Sequence, residues 1–266
     1  MKKKLAILGC GYLGNIVAEA CVKGLLEGYE LVGAVSRKFE DAVTLTGRAG
    51  GTPCHDLDEL LALKPDYLVE TASVKMVKES AVKALKQGTS LVPLSIGAFA
   101  DAAFYEEVKA AALEGGAKVH IPSGAVGGFD VLQTVALMAE AEKLEIQAGI
   151  ETRKGPNPLR NTPLFDESLV TEEGDHRVFS GTAAEAIAIL PTQVNVAVAS
   201  ALATTGPDQA TAGITSILGF VGDDHKITAE IDGVKAVVDI YSRTSSIAGW
   251  SVVALLRNLD SPVVFY

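Results

Sequence analysis

The sequence is short of cysteine. Cys10, Cys21 and Cys54 are the whole supply among 266 residues. Their number is odd, they lie far apart, and no pair has metal-ligand spacing, so neither a disulfide framework nor a zinc site is expected. They read as buried small hydrophobes in a reducing compartment. Excess positive charge is also missing: Lys and Arg number 23 against 33 Asp and Glu, a formal net charge of −10. Nucleic acid and anionic membranes both call for clustered cations, so neither is an expected partner. No apolar run approaches the length of a membrane span. Only four apolar residues separate the N-terminal lysines from a glycine turn, too few for a signal-peptide core. A soluble, cytoplasmic protein is the expectation. The chain has no G-x-S-x-G elbow and no P-loop, no internal repeat and no low-complexity linker.

Apolar residues are plentiful, at 48%, enough for a sizeable core and against disorder. The length suits one large domain or two smaller ones. Leu5-Ala6-Ile7-Leu8 reads as a buried parallel strand. Gly9, Gly11 and Gly14 then give G-x-G-x-x-G, and Asn15 to Glu27 carries Ile16, Val17, Ala20, Cys21 and Leu25 at a helical period. Strand, glycine turn and helix in that order make this pattern a dinucleotide site. Gly9 suits the tight turn, Gly11 the approach of backbone to a pyrophosphate, and Gly14 close packing of helix on strand. The helix N-terminus offers N–H groups and a positive dipole end to phosphates. The candidate contacts here are Gly9, Gly11, Tyr12, Leu13 and Gly14. With 26 glycines in the chain, a glycine turn without a ligand is the competing reading. A second strand, Tyr29 to Val35, ends at Ser36-Arg37-Lys38. An acid near this point would bind the ribose 2′-hydroxyl of NAD. The hydroxyl of Ser36 and the cations of Arg37 and Lys38 suit a 2′-phosphate, which favours NADP, with NAD as the alternative.

Further along, a helix is expected at Asp56 to Leu63, a strand at Asp66 to Glu70, and a helix at Val74 to Gln87. A strand follows at Ser90 to Ser95, then a helix at Ala102 to Leu113 capped by Asp101, and a strand at Lys118 to Ile121. This alternation predicts an α/β fold with a doubly wound parallel sheet. After Pro122 the texture changes. A glycine-rich turn, Ser123 to Gly128, leads into a helix at Phe129 to Ala139 and a strand at Leu144 to Thr152. Residues 155–176 read as a long loop, Glu185 to Leu190 and Val194 to Ala203 as helices, and Thr211 to Tyr241 as short β runs broken at Gly222 and Gly233. That is a second, α+β domain. A last apolar helix, Ser246 to Leu259, returns to the first domain. The expected domains are 1–123 plus 243–266, and 124–242.

Ligands bind doubly wound sheets beyond the carboxyl ends of the strands. The loops there are Glu70-Thr71-Ala72-Ser73 and Ser95 to Asp101, whose small residues, Ala72, Ser73 and Gly97 among them, let a flat ring lie against backbone. Tight strand-to-helix connections would look the same. Of four histidines, His55 and His120 sit beside strands or turns and His176 ends the long loop. His225, at the start of a strand in the second domain, suits general acid–base work. Arg153 and Lys154 are candidates for a substrate carboxylate, with surface charge the plainer reading of Lys154.

Taken together these segments resemble the L-aspartate dehydrogenase family over nearly the whole chain. The likeness is carried by Leu94-Ser95-Ile96-Gly97-Ala98-Phe99-Ala100-Asp101, by Ser123-Gly124-Ala125-Val126-Gly127-Gly128-Phe129-Asp130 and by Gly181-Thr182-Ala183-Ala184-Glu185-Ala186. Leu190-Pro191-Thr192-Gln193-Val194-Asn195-Val196-Ala197 and Leu255-Leu256-Arg257-Asn258-Leu259 add to it. The resemblance implies an N-terminal Rossmann-type domain, a second domain with substrate contacts and the dimer interface, and a homodimer. It implies that Ala125 and Asn195 contact the dinucleotide and that His225 is the active-site histidine. The implied reaction is the reversible oxidative deamination of L-aspartate through iminosuccinate to oxaloacetate and ammonia, so the partner is a small dicarboxylate or amino-acid substrate. The chain departs from the family pattern at Tyr241-Ser242-Arg243, in the length of the 155–176 loop, and at Asp223-Asp224, two acids that would repel a dicarboxylate at short range. A related dehydrogenase or imine reductase with another substrate, and a non-catalytic dinucleotide sensor, are the alternative readings.

Overall fold

The computed structural model of the protein describes residues 2–191 and 194–265. In chain order the strands are β1 (Lys3–Leu8), β2 (Tyr29–Val35), β3 (Thr52–Cys54), β4 (Tyr67–Glu70), β5 (Ser90–Pro93), β6 (Gln147–Lys154), β7 (Asp175–Thr182), β8 (Thr211–Ile217), β9 (Asp223–Ile231) and β10 (Val234–Ser242). The helices are α1 (Tyr12–Val22), α2 (Phe39–Ala49), α3 (Leu57–Ala62), α4 (Val74–Lys86), α5 (Ala102–Gly115), α6 (Phe129–Glu142), α7 (Ser168–Thr171), α8 (Ala183–Ile189), α9 (Asn195–Leu202) and α10 (Ser246–Asp260). The chain divides into two compact units. One runs up to Gly124 and takes in Ser246–Phe265; the other is Ala125–Ser245.

The first unit is built on a five-stranded sheet of order β3-β2-β1-β4-β5, parallel throughout. β1 lies at its centre with Leu5, Ala6 and Ile7 fully buried, as expected of a parallel strand covered on both faces. The order reverses beside β1, so the loops after β1 and β4 flank the switch point where such sheets take ligands. The closing helix α10 returns to this unit. Val252, Val253 and Leu256 join the core formed by β1, β2 and α1. The Tyr29 hydroxyl donates to the Leu256 carbonyl at 2.8 Å, and Gly249 lies so close to α1 that a Cβ there would meet Ile16 at 2.9 Å.

Several boundaries differ from the sequence reading, each for a local reason. α1 starts at Tyr12 and stops at Val22 instead of spanning Asn15 to Glu27, because Gly24 takes a positive φ of 70° and breaks the helix. The strand expected at Lys118 to Ile121 is reduced to a single bridge between Leu91 and Val119, since Pro122 has no N–H to extend the ladder. α2 and β3 lie where the sequence reading places neither a helix nor a strand. α2 carries Val43, Thr44, Thr46 and Gly47, all poor helix formers, and is kept by burying Ala42, Leu45 and Thr46.

The second unit holds a mixed sheet of order β10-β9-β6-β8-β7. β6 is central, parallel to β8 and antiparallel to β9. Ile150, Ala212, Ile214, Ile227, Ala229 and Ile231 from three strands form a core with Leu132 and Val135 of α6 and Ala197 and Ala201 of α9. The segment read as a loop over 155–176 contains α7 and a 3-10 turn at Asn157–Leu159, and β7 begins before it ends. β7 is an edge strand with a register shift between Arg177 and Phe179, a break in alternation that hides it from pattern reading.

Candidate active site

In the first unit the glycine turn is shaped from within. Gly9 takes φ 108°, open to glycine and strained for other residues. Its carbonyl accepts the Thr71 hydroxyl at 2.7 Å. A Cβ on Gly14 would strike the Gly9 carbonyl, and a Cβ on Gly9 would meet Ala72 at 3.0 Å. The turn is therefore pressed between α1 and the loop after β4. The side-chain amide of Asn15 donates to the carbonyls of Cys10 and Gly11 at 2.8 and 2.9 Å, so those carbonyls are tied back toward the helix. Gly11 caps α1 with no side-chain hydrogen bond, and a Cβ at Gly11 would find no atom within 4 Å. Open space over an uncapped helix N-terminus fits a pyrophosphate. Tyr12 is exposed and Leu13 half-buried on the first turn.

Ser36 and Arg37 follow β2, half-buried and exposed respectively. Burial pushes the nearby Cys10 thiol up to about 11, with Asp41 adding to the rise and Ser36 opposing it, so that sulfur stays protonated at neutral pH. Ala72 and Ser73 lie after β4, where Ser73 caps α4 by accepting from the Met76 N–H at 3.3 Å. Gly97 is buried in the 3-10 turn Ile96–Ala100 after β5.

Glu70, which the sequence reading placed in the first of these loops without a role of its own, ties the two together. Glu70, the last residue of β4, is fully buried. One carboxylate oxygen accepts the N–H groups of Ala72 and Ser73 and the Ser95 hydroxyl, at 2.7, 2.8 and 3.0 Å; the other accepts the Ser95 N–H at 3.1 Å. Burial pushes its carboxyl above the usual range, and these four donors pull it back. An acid closing the short apolar run of Tyr67 to Val69 was the available signal.

In the second unit the site lies at one end of the sheet's core face. Along β6, Ile150, Thr152 and Lys154 share that face, and along β9 so do Asp223, His225 and Ile227. Thr152 pairs with His225 across the ladder, and Lys154 with Asp223 on one side and Ser216 of β8 on the other. His225 is 4% exposed, with Nδ1 2.9 Å from the Thr152 hydroxyl. Burial pushes its pKa down to about 4; Lys154 pushes the same way and Asp223 opposes. The imidazole is therefore neutral at pH 7, its Nδ1 engaged by Thr152. Lys154 is buried, and its ammonium stands 3.1 Å from Asp223 Oδ1. The Ser216 hydroxyl is also buried and has no hydrogen-bond partner among the described residues.

This geometry revises the reading of two basic residues and two acids. Lys154 is a core-face cation, whereas Arg153 is exposed and paired with Asp175 at 3.2 Å. Alternation places Asp224 on the opposite face, where burial and Asp239 raise its carboxyl. Only Asp223 of the two acids adjoins the polar cluster. The period-2 pattern of β6 would have revealed Lys154, but the strand was placed as ending at Thr152. Thr152 and Ser216 carry no sequence signal of their own. Ala125 sits in the turn before α6, beside the core residue Val126, and Asn195 opens α9, beside the core residue Val194. Thr192 and Gln193, which also bear the family resemblance, lie outside the described residues. His55 stacks on Phe39 at 3.9 Å, and His120 packs near Tyr67; His176 is half-buried, with a ring nitrogen 3.3 Å from the Glu172 carbonyl. Among the described residues no group of His, Cys, Asp and Glu can hold a metal ion, and no helix is long and apolar enough to cross a membrane.

Comparison with known proteins divides the chain in a similar way. The family model for the NAD-binding domain of homoserine dehydrogenase matches residues 9–122, and the model for the C-terminal part of aspartate dehydrogenase matches residues 131–259. The L-aspartate dehydrogenases of Methanocaldococcus jannaschii and Methanococcus maripaludis are 28% and 30% identical, each over 98% of both chains. The solved aspartate dehydrogenase of Thermotoga maritima aligns over 100% of both chains at 25% identity with a TM-score of 0.78. A hyperthermophilic archaeal homoserine dehydrogenase in complex with NADPH shares the fold at a TM-score of 0.57.

Proposed function

Because this chain belongs to the L-aspartate dehydrogenase family, and is thus an amino-acid dehydrogenase that uses a nicotinamide dinucleotide, we propose that it catalyses the reversible oxidative deamination of L-aspartate. The observation that carries this reading is the buried row of Thr152, His225 and Lys154 at the end of the second sheet. A neutral imidazole fixed at Nδ1 keeps Nε2 to take or return a proton at the substrate amine or the attacking water. Thr152 sets the ring's orientation. The Lys154 ammonium is a cation for a substrate carboxylate, and an anion held there offsets the lysine's lowering of the histidine's basicity.

The cofactor, when bound, accepts the hydride from the substrate Cα. On this reading Gly9, Gly11, Tyr12, Leu13 and Gly14 hold its pyrophosphate, and Ser36 and Arg37 its adenosine ribose. Ala72, Ser73, Gly97, Ala125 and Asn195 supply further contacts. The cations after β2 favour NADP over NAD. The protein is proposed to act as a homodimer.

The test is reductive amination: oxaloacetate, ammonia and either NADPH or NADH, followed by loss of reduced-nicotinamide absorbance, with an ammonia-free control. Ammonia-dependent oxidation, faster with NADPH and lost at least about a hundredfold in His225→Ala, is the expected result. Cofactor binding without ammonia-dependent turnover would transfer the assignment to a related dehydrogenase or imine reductase, a reading that the Asp223–Lys154 pair favours.

A further inference from the structure

Building on the reading of Lys154 as a carboxylate anchor, we propose that Asp223 determines specificity: its carboxylate occupies the Lys154 ammonium in the resting protein, and an incoming substrate carboxylate must displace it, with the Ser216 hydroxyl as second donor.

The argument starts from an asymmetry. The Lys154 side chain is 6% exposed and that of Asp223 is 42% exposed. A buried ammonium must keep a counter-charge, because its desolvation is offset only by a partner. The lysine is fixed in the core face, whereas Asp223 is the first residue of β9, next to Gly222 with φ 90°. The lysine is thus the permanent member of the pair and the aspartate the replaceable one. Their contact is also incomplete. Asp223 Oδ1 lies 3.1 Å from the ammonium yet is buried without a hydrogen bond among the described residues. The register neighbour of Lys154 on its other side is Ser216, a fully buried hydroxyl that likewise lacks a partner among the described residues. Buried polar groups in native proteins are nearly always paired. A cation and an unused hydroxyl side by side on one face suit a carboxylate, whose two oxygens accept from both. Asp223 engages only the first.

The consequence is a selective cost. A substrate carboxylate competes with one the protein already holds, and two carboxylates around one ammonium repel each other. Removing the charge at 223 while keeping the side chain's shape should therefore tighten the site for dicarboxylates. Asp224, on the opposite face, should not act in this way.

The experiment is calorimetric titration of the full chain with succinate, which binds without undergoing the reaction, in the presence and absence of NADPH. Asp223→Asn is expected to bind succinate about tenfold or more tightly than the parent, Asp224→Asn within about twofold of it. Lys154→Met should lose at least about tenfold, and Ser216→Ala about fivefold. Equal or weaker binding in Asp223→Asn, or no succinate binding by either protein, overturns the proposal, and so does unchanged binding in Lys154→Met. The aspartate reading is judged separately, by ammonia-dependent oxidation in the parent. Tightening by Asp223→Asn without that turnover leaves the anion subsite standing on a different enzyme. Turnover with succinate binding indifferent to Asp223 removes the subsite and leaves the enzyme.

Discussion

At the scale of single residues, His225 makes the second unit sensitive to acid. Its folded pKa lies near 4, below the ordinary 6.5. Between those values the unfolded chain binds a proton that the folded chain refuses, so stability present above pH 6.5 is lost as pH falls toward 4. The charged groups facing the ring are Asp223 and Lys154, and they act in opposite senses. At the limit the loss is on the order of 3 kcal/mol. Urea unfolding at pH 7, 5.5 and 4.5 should show this decline, and His225→Gln should flatten it. An unchanged slope in the variant would mean that another group carries the acid sensitivity. Glu70 is the contrasting case in the first unit: a buried acid whose oxygens accept four hydrogen bonds from the loops after β4 and β5, holding the two together.

At the scale of elements, the closing helix α10 contributes to the first unit's core what β1, β2 and α1 leave open. Leu256 is fully buried there, and Leu256→Ala should cost about 2–5 kcal/mol, read as a fall in the denaturation midpoint with NADPH affinity retained in the folded fraction. A cost below about 0.5 kcal/mol would mean that α10 is only loosely attached. The apolar character of this helix was legible from the frequency of its apolar residues, Ile247, Val253 and Leu256 among them, although Trp250 is 43% exposed and Ala254 is exposed too. The glycine turn and the parallel strands were legible for a related reason: strands covered on both faces leave continuous apolar runs. β7 and α2 were not, because an edge strand with a register shift and a helix with three β-branched residues and a glycine owe their form to tertiary neighbours. Within the site, His225 was singled out as a histidine opening a strand, and family resemblance supplied its expected active-site role. Lys154 read as surface charge because the strand was ended at Thr152, two residues short, so the alternation that puts Lys154 on the same face as Thr152 was not carried to it.

At the scale of the whole molecule, a net charge of −10 surrounds a site proposed to take a dianion. The long-range field opposes approach, while the local cation acts only at contact. The Debye length shrinks from about 30 Å at 0.01 M salt to about 8 Å at 0.15 M. Steady-state kcat/KM for oxaloacetate should therefore rise over that range, by about twofold or more, before specific ion competition sets in. A fall over the same range would show that a local positive field governs encounter.

The return of α10 to the first unit also has a consequence for how the protein is made. Synthesis runs from the N-terminus, so β1 to β5 emerge early but lack Val252, Val253 and Leu256. The whole of Ala125–Ser245 must be translated before those residues appear, a delay of roughly 6–24 s at about 5–20 residues per second. The inserted middle of the chain can finish folding on the ribosome, while the half that begins first is completed last. During that interval an unfinished apolar face beside β1 is open to chaperones, and a ribosome that stalls short of α10 releases a chain whose dinucleotide-binding half was never sealed.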